Sequence, residues 1–114
     1  MKVYGIKNCD TVKKALKWLD EHNINYEFHD FKKSGISPEK LDEWSETLGW
    51  EALVNKRGTT WRKLDPDMQN KVQTKSDAFA LMQEKTSVIK RPVIEGDQKL
   101  VLGFDEIAYQ QFLP

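Results

Sequence analysis

The sequence predicts an α/β fold built on a four-stranded mixed sheet. Three observations predict it. Residues 2–6 and 24–31 are β-rich runs separated by a helix-patterned segment, the order of a βαβ unit with parallel strands. Residues 92–95 and 99–102 are short apolar runs around Gly96-Asp97-Gln98, the pattern of an antiparallel hairpin. Between these two parts the chain carries repeated helix-start signals and no strand pattern, so helices fill the middle.

Lys2-Val3-Tyr4-Gly5-Ile6 supplies β-branched and aromatic residues and stops at the polar Lys7-Asn8 pair. Tyr4-Gly5 marks either a close backbone approach or a bulge. Cys9 or Asp10 then caps a helix whose Val12, Ala15, Leu16 and Leu19 recur at helical spacing and form one apolar face. Asn23 is a plausible stop. In the second strand Ile24, Tyr26 and Phe28 alternate with Asn25, Glu27 and His29. Ser37-Pro38 pairs an N-cap with proline at the first helical position, Leu41, Trp44 and Leu48 share a face, and Gly49 ends the helix. Residues 55–60 are polar, basic and glycine-containing, which reads as a loop. Asp65-Pro66 opens a short helix to about Val72, and Ser76 is the expected cap of another, with Phe79 and Met82 facing in. Asp105 caps the last helix, where Phe104 and Tyr109 are spaced as a hydrophobic staple.

The 114 residues suit one domain, residues 1–114. Lys plus Arg and Asp plus Glu balance at 18 each, so the basic excess of a nucleic-acid-binding chain is missing. No apolar run is long enough for a membrane helix, and residues 1–10 lack a signal-peptide core, so a cytoplasmic protein is expected. One cysteine excludes an intrachain disulfide, and with only two histidines, His22 and His29, no metal site is expected.

Cys9 is the candidate for chemistry. It stands where a strand hands over to a helix, at the unpaired N–H groups and positive dipole end of the first turn. That position lowers a thiol's pKa, and Lys7, Lys13 and Lys14 are near in sequence, while Asp10 opposes the effect if it faces the sulfur. A lowered pKa raises the thiolate fraction from about 3 % at pH 7 for a thiol near ~8.5, but costs nucleophilicity at a Brønsted slope of ~0.4–0.5. The larger benefit comes when the same sulfur must leave a mixed disulfide, because a low-pKa thiolate leaves faster. The competing reading is a buried, inert cysteine. The polar neighbours Asn8, Asp10 and Thr11 make this a poor core position. The Thr11 hydroxyl is placed either to donate to the sulfur or to cap the first turn.

The run Tyr4-Gly5-Ile6-Lys7-Asn8-Cys9-Asp10-Thr11-Val12-Lys13-Lys14-Ala15 strongly resembles the N-terminal motif of the arsenate reductase (ArsC)-like family, in particular its YffB-type branch, related to the Spx regulators. Asn55-Lys56-Arg57-Gly58-Thr59-Thr60-Trp61-Arg62-Lys63-Leu64 resembles the middle motif of that branch, and Ile89-Lys90-Arg91-Pro92-Val93 resembles the family's Arg-Pro motif. The resemblance covers essentially the whole chain. It implies a thioredoxin-like fold with a helical insertion between the second and third strands, Cys9 as nucleophile, Arg91 as support for a thiolate or anion beside it, and a cis bond before Pro92. Arginine suits that role because it keeps its charge and presents a planar fork of donors.

Arsenate reductases of this type present three arginines, of which only Arg91 aligns directly; Asn55 falls at the second position with Arg57 two residues on, and residues 100–104 carry none. The Cys-x-x-Cys switch of Spx proteins is replaced by Cys9 and Val12. The function expected is therefore a thiol-disulfide reductase working through a mixed disulfide at Cys9. With no second cysteine, an outside thiol must resolve it, and glutathione is the expected cosubstrate, with no bound cofactor. Its partner substrate is a disulfide or an oxyanion. Asn8, Thr11, Arg57 and Pro92 are the expected substrate-binding residues, with Arg91 and Arg57 facing carboxylates. The alternatives are an arsenate reductase with a reduced arginine clamp, or a non-catalytic Spx-like regulator that binds the RNA polymerase alpha subunit.

Overall fold

A computed structural model of the chain describes residues 1–97 and 99–113. Gln98, the last residue of the expected Gly96-Asp97-Gln98 turn, lies outside them. In chain order the elements are β1 (Lys2–Gly5), α1 (Asp10–Glu21), β2 (Glu27–Asp30), α2 (Phe31–Ser34), α3 (Pro38–Leu48), α4 (Trp50–Leu53), α5 (Thr59–Lys63), α6 (Pro66–Asn70), α7 (Lys75–Glu84), a 3-10 turn (Thr86–Val88), β3 (Val93–Glu95), β4 (Leu100–Leu102) and α8 (Glu106–Phe112). They gather into two compact units, one formed by Met1–Ser34 with the segment from Arg91 onward, the other by Gly35–Lys90.

The first unit is built on a mixed sheet of order β2-β1-β3-β4. β1 runs parallel to β2 and antiparallel to β3, and β3 pairs antiparallel with β4. The register lines up Phe28, Val3, Ile94 and Val101 across one face. That face joins Ala15, Trp18 and Leu19 of α1 and Tyr109 and Leu113 at the C-terminal end in one apolar cluster. The helical insertion thus falls between β2 and β3, as the resemblance implies. β2 is shorter than the apolar alternation suggests: Ile24 is buried in the helix-to-strand connection, and pairing with β1 begins only at Glu27.

α1 starts and stops for identifiable reasons. Cys9 is its N-cap and Asp10 its first helical residue. At the other end Asn23 adopts a left-handed φ of 56°, which asparagine tolerates better than most residues. This lets Asn23 N–H reach Asp20 O (3.1 Å) and Ile24 N–H reach Leu19 O (2.9 Å), the paired bonds of a Schellman stop. The buried stripe of α1 is Val12, Ala15, Trp18 and Leu19. Trp18 takes the place expected for Leu16, because its ring packs edge-on to Tyr109 at 5.3 Å. α8 begins at Asp105, whose carboxylate accepts from the N–H groups of Ile107 (3.0 Å) and Ala108 (3.2 Å). The expected staple is present, with Phe104 and Tyr109 edge to face at 5.4 Å.

In the second unit, Ser37 caps α3 by accepting from Lys40 N–H, and Leu41 and Trp44 are its buried residues. Asp65 caps α6 in the same way through Met68 N–H. The cap of α7 is Thr74, not Ser76. Thr74 accepts from Asp77 N–H while the Asp77 carboxylate accepts from Thr74 N–H, a reciprocal box for which Ser76 has no matching acid three residues on. The expected 55–60 loop is also shorter than its composition suggests, since α5 starts at Thr59. Val54 pairs with Ile89 in an isolated antiparallel bridge, flanked by the bonds Asn55 N–H to Val88 O (2.7 Å) and Lys90 N–H to Leu53 O (2.8 Å).

Gly5 is a close-approach glycine. A Cβ there would stand 2.9 Å from Val12 Cγ2 and 3.7 Å from Phe28 Cε1. Val12 is fully buried and stiff at χ1, so it cannot swing aside cheaply. The absent side chain is what lets the first turn of α1 lie against the end of β1. Gly5→Ala is expected to cost about 1–3 kcal/mol by overpacking and to lower the melting temperature accordingly. Calorimetry showing an unchanged melting temperature would contradict this packing account.

Candidate functional site

The sheet brings the two principal candidates to one end of its central strands. Tyr4 of β1 stands opposite Val93 of β3 at the last rung of their antiparallel pairing. Cys9 follows β1 by a short polar bend, and Arg91 immediately precedes Pro92 and β3. Both therefore lie just beyond the same end of the central strand pair. The Arg91-Pro92 bond is cis, and Pro92 is buried. Asn8 and Thr11 are exposed beside Cys9, and Cys9 and Arg91 are half-buried.

Cys9 holds the N-cap position of α1 with an extended backbone (φ −142°, ψ 122°), and its carbonyl accepts the first helical bond from Lys13 N–H at 2.9 Å. In an ordinary cap the side-chain acceptor serves the N–H of the second or third helical residue. Here those residues are Thr11 and Val12. The neutral thiol is a weak acceptor, and no capping bond of strict geometry forms. A thiolate accepts strongly, so the capping interaction is largely conditional on ionisation.

The balance of effects on the Cys9 pKa follows from that. Partial burial is the largest single influence and pushes the pKa up. The Val12 amide, the Arg91 guanidinium acting as hydrogen-bond donor and as charge, and the Thr11 amide together outweigh burial, and the pKa ends below its ordinary 9.0. Lys7, Lys13, Lys14 and Asp10 are exposed and are not among the groups that move it. The charge at the site is supplied by one arginine brought from far along the chain, not by the neighbouring lysines. Thr11 contributes through its backbone amide.

Arg57, the other residue expected to meet a carboxylate, is exposed in the second unit, in the short segment before α5. Asn55 packs tightly over that segment: a Cβ on Gly58 would stand 2.7 Å from Asn55 Nδ2. Among the four tryptophans, Trp18, Trp44 and Trp61 are buried and Trp50 is half-buried. Trp18 also lines a shallow groove of about 350 Å³ with Lys14, Lys17, Glu21, Phe104 and Glu106. Among the described residues no group of three or more His, Cys, Asp or Glu side chains is arranged to hold a metal ion, and no helix is long and apolar enough to cross a membrane.

Known proteins are similar to this chain over nearly its whole length. An uncharacterized protein of Haemophilus influenzae is 49 % identical over 108 residues, covering 95 % of this chain and 94 % of its own. The solved structure of a YffB protein superposes with a TM-score of 0.92 at 44 % identity, covering 99 % of this chain and 98 % of its own. The global transcriptional regulator Spx of Listeria innocua is 29 % identical over 98 % of this chain and 86 % of its own.

Two outcomes test the electrostatics. Arg91→Ala removes both a donor and a charge, so the pH midpoint for alkylation of Cys9 moves up and the rate at neutral pH falls by roughly threefold or more; an unmoved midpoint would exclude Arg91 from the site. The second concerns stability. Because the folded-state pKa lies below 9.0, the unfolded chain holds the Cys9 proton longer, and stability rises with pH across that window. Below the folded-state value the contribution is absent, and it is complete above 9.0. The melting-temperature advantage of wild type over Cys9→Ala is expected to grow as pH rises toward 9.0, and an advantage that shrinks would reverse the sign of the shift.

A family model described as the ArsC family matches residues 4–112 and so runs through both compact units; the chain belongs to the ArsC family.

Proposed function

We propose that the protein is a thiol-disulfide reductase that works through a mixed disulfide on Cys9 with glutathione as the reducing cosubstrate. The observation that carries the reading is the convergence of the Val12 amide, the Thr11 amide and the Arg91 guanidinium on one half-buried sulfur. Family membership supports a reductase-like chemistry. The lone cysteine supports resolution by an outside thiol.

The steps balance with no bound cofactor. The Cys9 thiolate attacks a substrate disulfide, forming a Cys9–S–S–R bond and releasing the other half as a thiolate. A first glutathione thiolate attacks the Cys9 sulfur, expelling the remaining substrate half as a thiolate and leaving a Cys9–glutathione disulfide; a second attacks the glutathione sulfur of that bond and expels Cys9. The electrons come from two glutathiones, which leave as the oxidised disulfide, and Cys9 returns as the thiolate. The groups that lower its pKa make it a good leaving group in the last exchange. Arg91 offers a fork of donors to the thiolate and to a carboxylate or oxyanion of the incoming molecule. Asn8 and Thr11 flank Cys9 along the chain, Pro92 follows Arg91, and these three are the nominated contacts for that molecule. Arg57 is nominated on sequence grounds for a glutathione carboxylate.

Cys9→Ser is expected to abolish glutathione-dependent reduction of a small mixed disulfide, a loss of at least about a hundredfold, because the nucleophile is removed. Equal activity of the two proteins would refute the proposal. Arg57→Ala should raise the KM for glutathione and leave the Cys9 alkylation profile unmoved. The similarity to Spx favours a second reading, a regulator that binds the RNA polymerase alpha subunit without catalysis. It predicts capture of that subunit by wild type and Cys9→Ser alike, with no glutathione-dependent turnover. Turnover of arsenate that Arg91→Ala abolishes would instead identify an arsenate reductase with a reduced clamp.

A further inference from the structure

The rung at the mouth of the β3–β4 hairpin is built in an unusual way. The register pairs Val93 with Leu102 and Ile94 with Val101, and Gly96 N–H donates to Lys99 O at 2.8 Å. Continuing that register outward places Pro92 opposite Gly103. Gly103 N–H donates to Pro92 O at 2.8 Å, so this is a hydrogen-bonded pair of the antiparallel type. Such a pair exchanges two bonds, but proline has no N–H to return. The Gly103 carbonyl, in a buried residue, would be left without its strand partner. Instead it accepts the hydroxyl of Tyr109 from α8 at 2.6 Å. Gly103 has a φ of 79°, a conformation that favours glycine and lets the chain turn out of β4 toward Asp105 and α8.

We propose that Tyr109 is a positioning residue for the reactive site: its hydroxyl replaces the bond that Pro92 cannot make, closes the rung, and thereby holds the Arg91-Pro92 segment so that Arg91 faces Cys9. The inference rests on the reading of Cys9 as a thiolate partnered by Arg91, and does not depend on which molecule the site reduces. The geometry supplies the chain of causes. Tyr109 is fully buried and stapled by Phe104 and Trp18, both edge-on, so its ring has little freedom. Burial, then the nearby Asp105 charge, pushes the phenol far up, so the oxygen remains a hydrogen-bond donor throughout the working range. Its acceptor, the Gly103 carbonyl, belongs to the residue whose amide grips the Pro92 carbonyl. Pro92 is one residue from the guanidinium that acts on the sulfur.

The test is the pH profile of Cys9 alkylation in Tyr109→Phe, which keeps the ring and removes only the hydroxyl. The midpoint is expected to move up toward that of Arg91→Ala, with the rate at neutral pH falling about threefold or more. In an Arg91→Ala background the same change should produce no further move, because the group being positioned is gone. A purely structural tyrosine would lower the melting temperature and leave the midpoint where it was, and that result, or an additive move in the double variant, would overturn the inference. Hydrogen exchange on the wild-type protein gives a second reading that needs no variant. The Gly103 amide is expected to be as protected as those of Ile94 and Val101, and exchange at the rate of an open loop would also overturn it. If Cys9→Ser were fully active in glutathione-dependent reduction, the proposed function would fail while these profiles would still decide the role of Tyr109.

Discussion

The structure depends on a sulfur standing in the place of a helix cap. Every helix start leaves amides without partners, and most chains serve them with a serine, threonine or aspartate oxygen. Here the acceptor is Cys9, which serves them well only when ionised. Folding and ionisation are therefore coupled at one atom. The Val12 and Thr11 amides gain a strong acceptor when the proton leaves, and Arg91 gains a counter-charge. Burial works against this and sets how much help the sulfur needs.

Holding that arrangement takes packing that looks unrelated to chemistry. Gly5 lets α1 start hard against β1, which fixes where the first-turn amides point. The antiparallel pairing of β1 with β3 puts Arg91 at the same end of the central strands as Cys9, although they are far apart in sequence. The C-terminal helix adds its own constraint through Tyr109, which belongs to the apolar cluster and also to the hydrogen-bonded rung beside Pro92. The site is carried by the unit that holds the four-stranded sheet, a regular scaffold that suits a group whose ionisation depends on small distances.

Much of this was legible in the sequence where local chemistry decides. The strand–cysteine–helix junction, the Ser37 and Asp65 caps, the Asn23 stop, the Phe104–Tyr109 staple and the terminal hairpin all follow from short patterns whose causes lie within a few residues. The Thr74 cap is also legible, since the reciprocal acid Asp77 stands three residues on, whereas the expected cap Ser76 has no such partner. Other features were not readable locally. Trp18 displaces Leu16 from the buried stripe because a tertiary partner, Tyr109, selects it. Sequence proximity favours Lys7, Lys13 and Lys14 as electrostatic support for Cys9, yet they are exposed and the charge that acts on the sulfur is that of Arg91. Without the family resemblance, nothing in the spacing of Cys9 and Arg91 would have joined them. The Tyr109–Gly103–Pro92 connection is set by strand register, which short-range patterns do not reveal.

The claim at the centre is that the folded chain holds Cys9 as an anion more readily than an isolated thiol. The most direct measurement is a titration of thiolate ultraviolet absorbance in the native protein, with Cys9→Ser as the blank. The account predicts a single midpoint clearly below 9.0. A midpoint at or above 9.0 would mean that burial prevails over the amides and the arginine, and would contradict it.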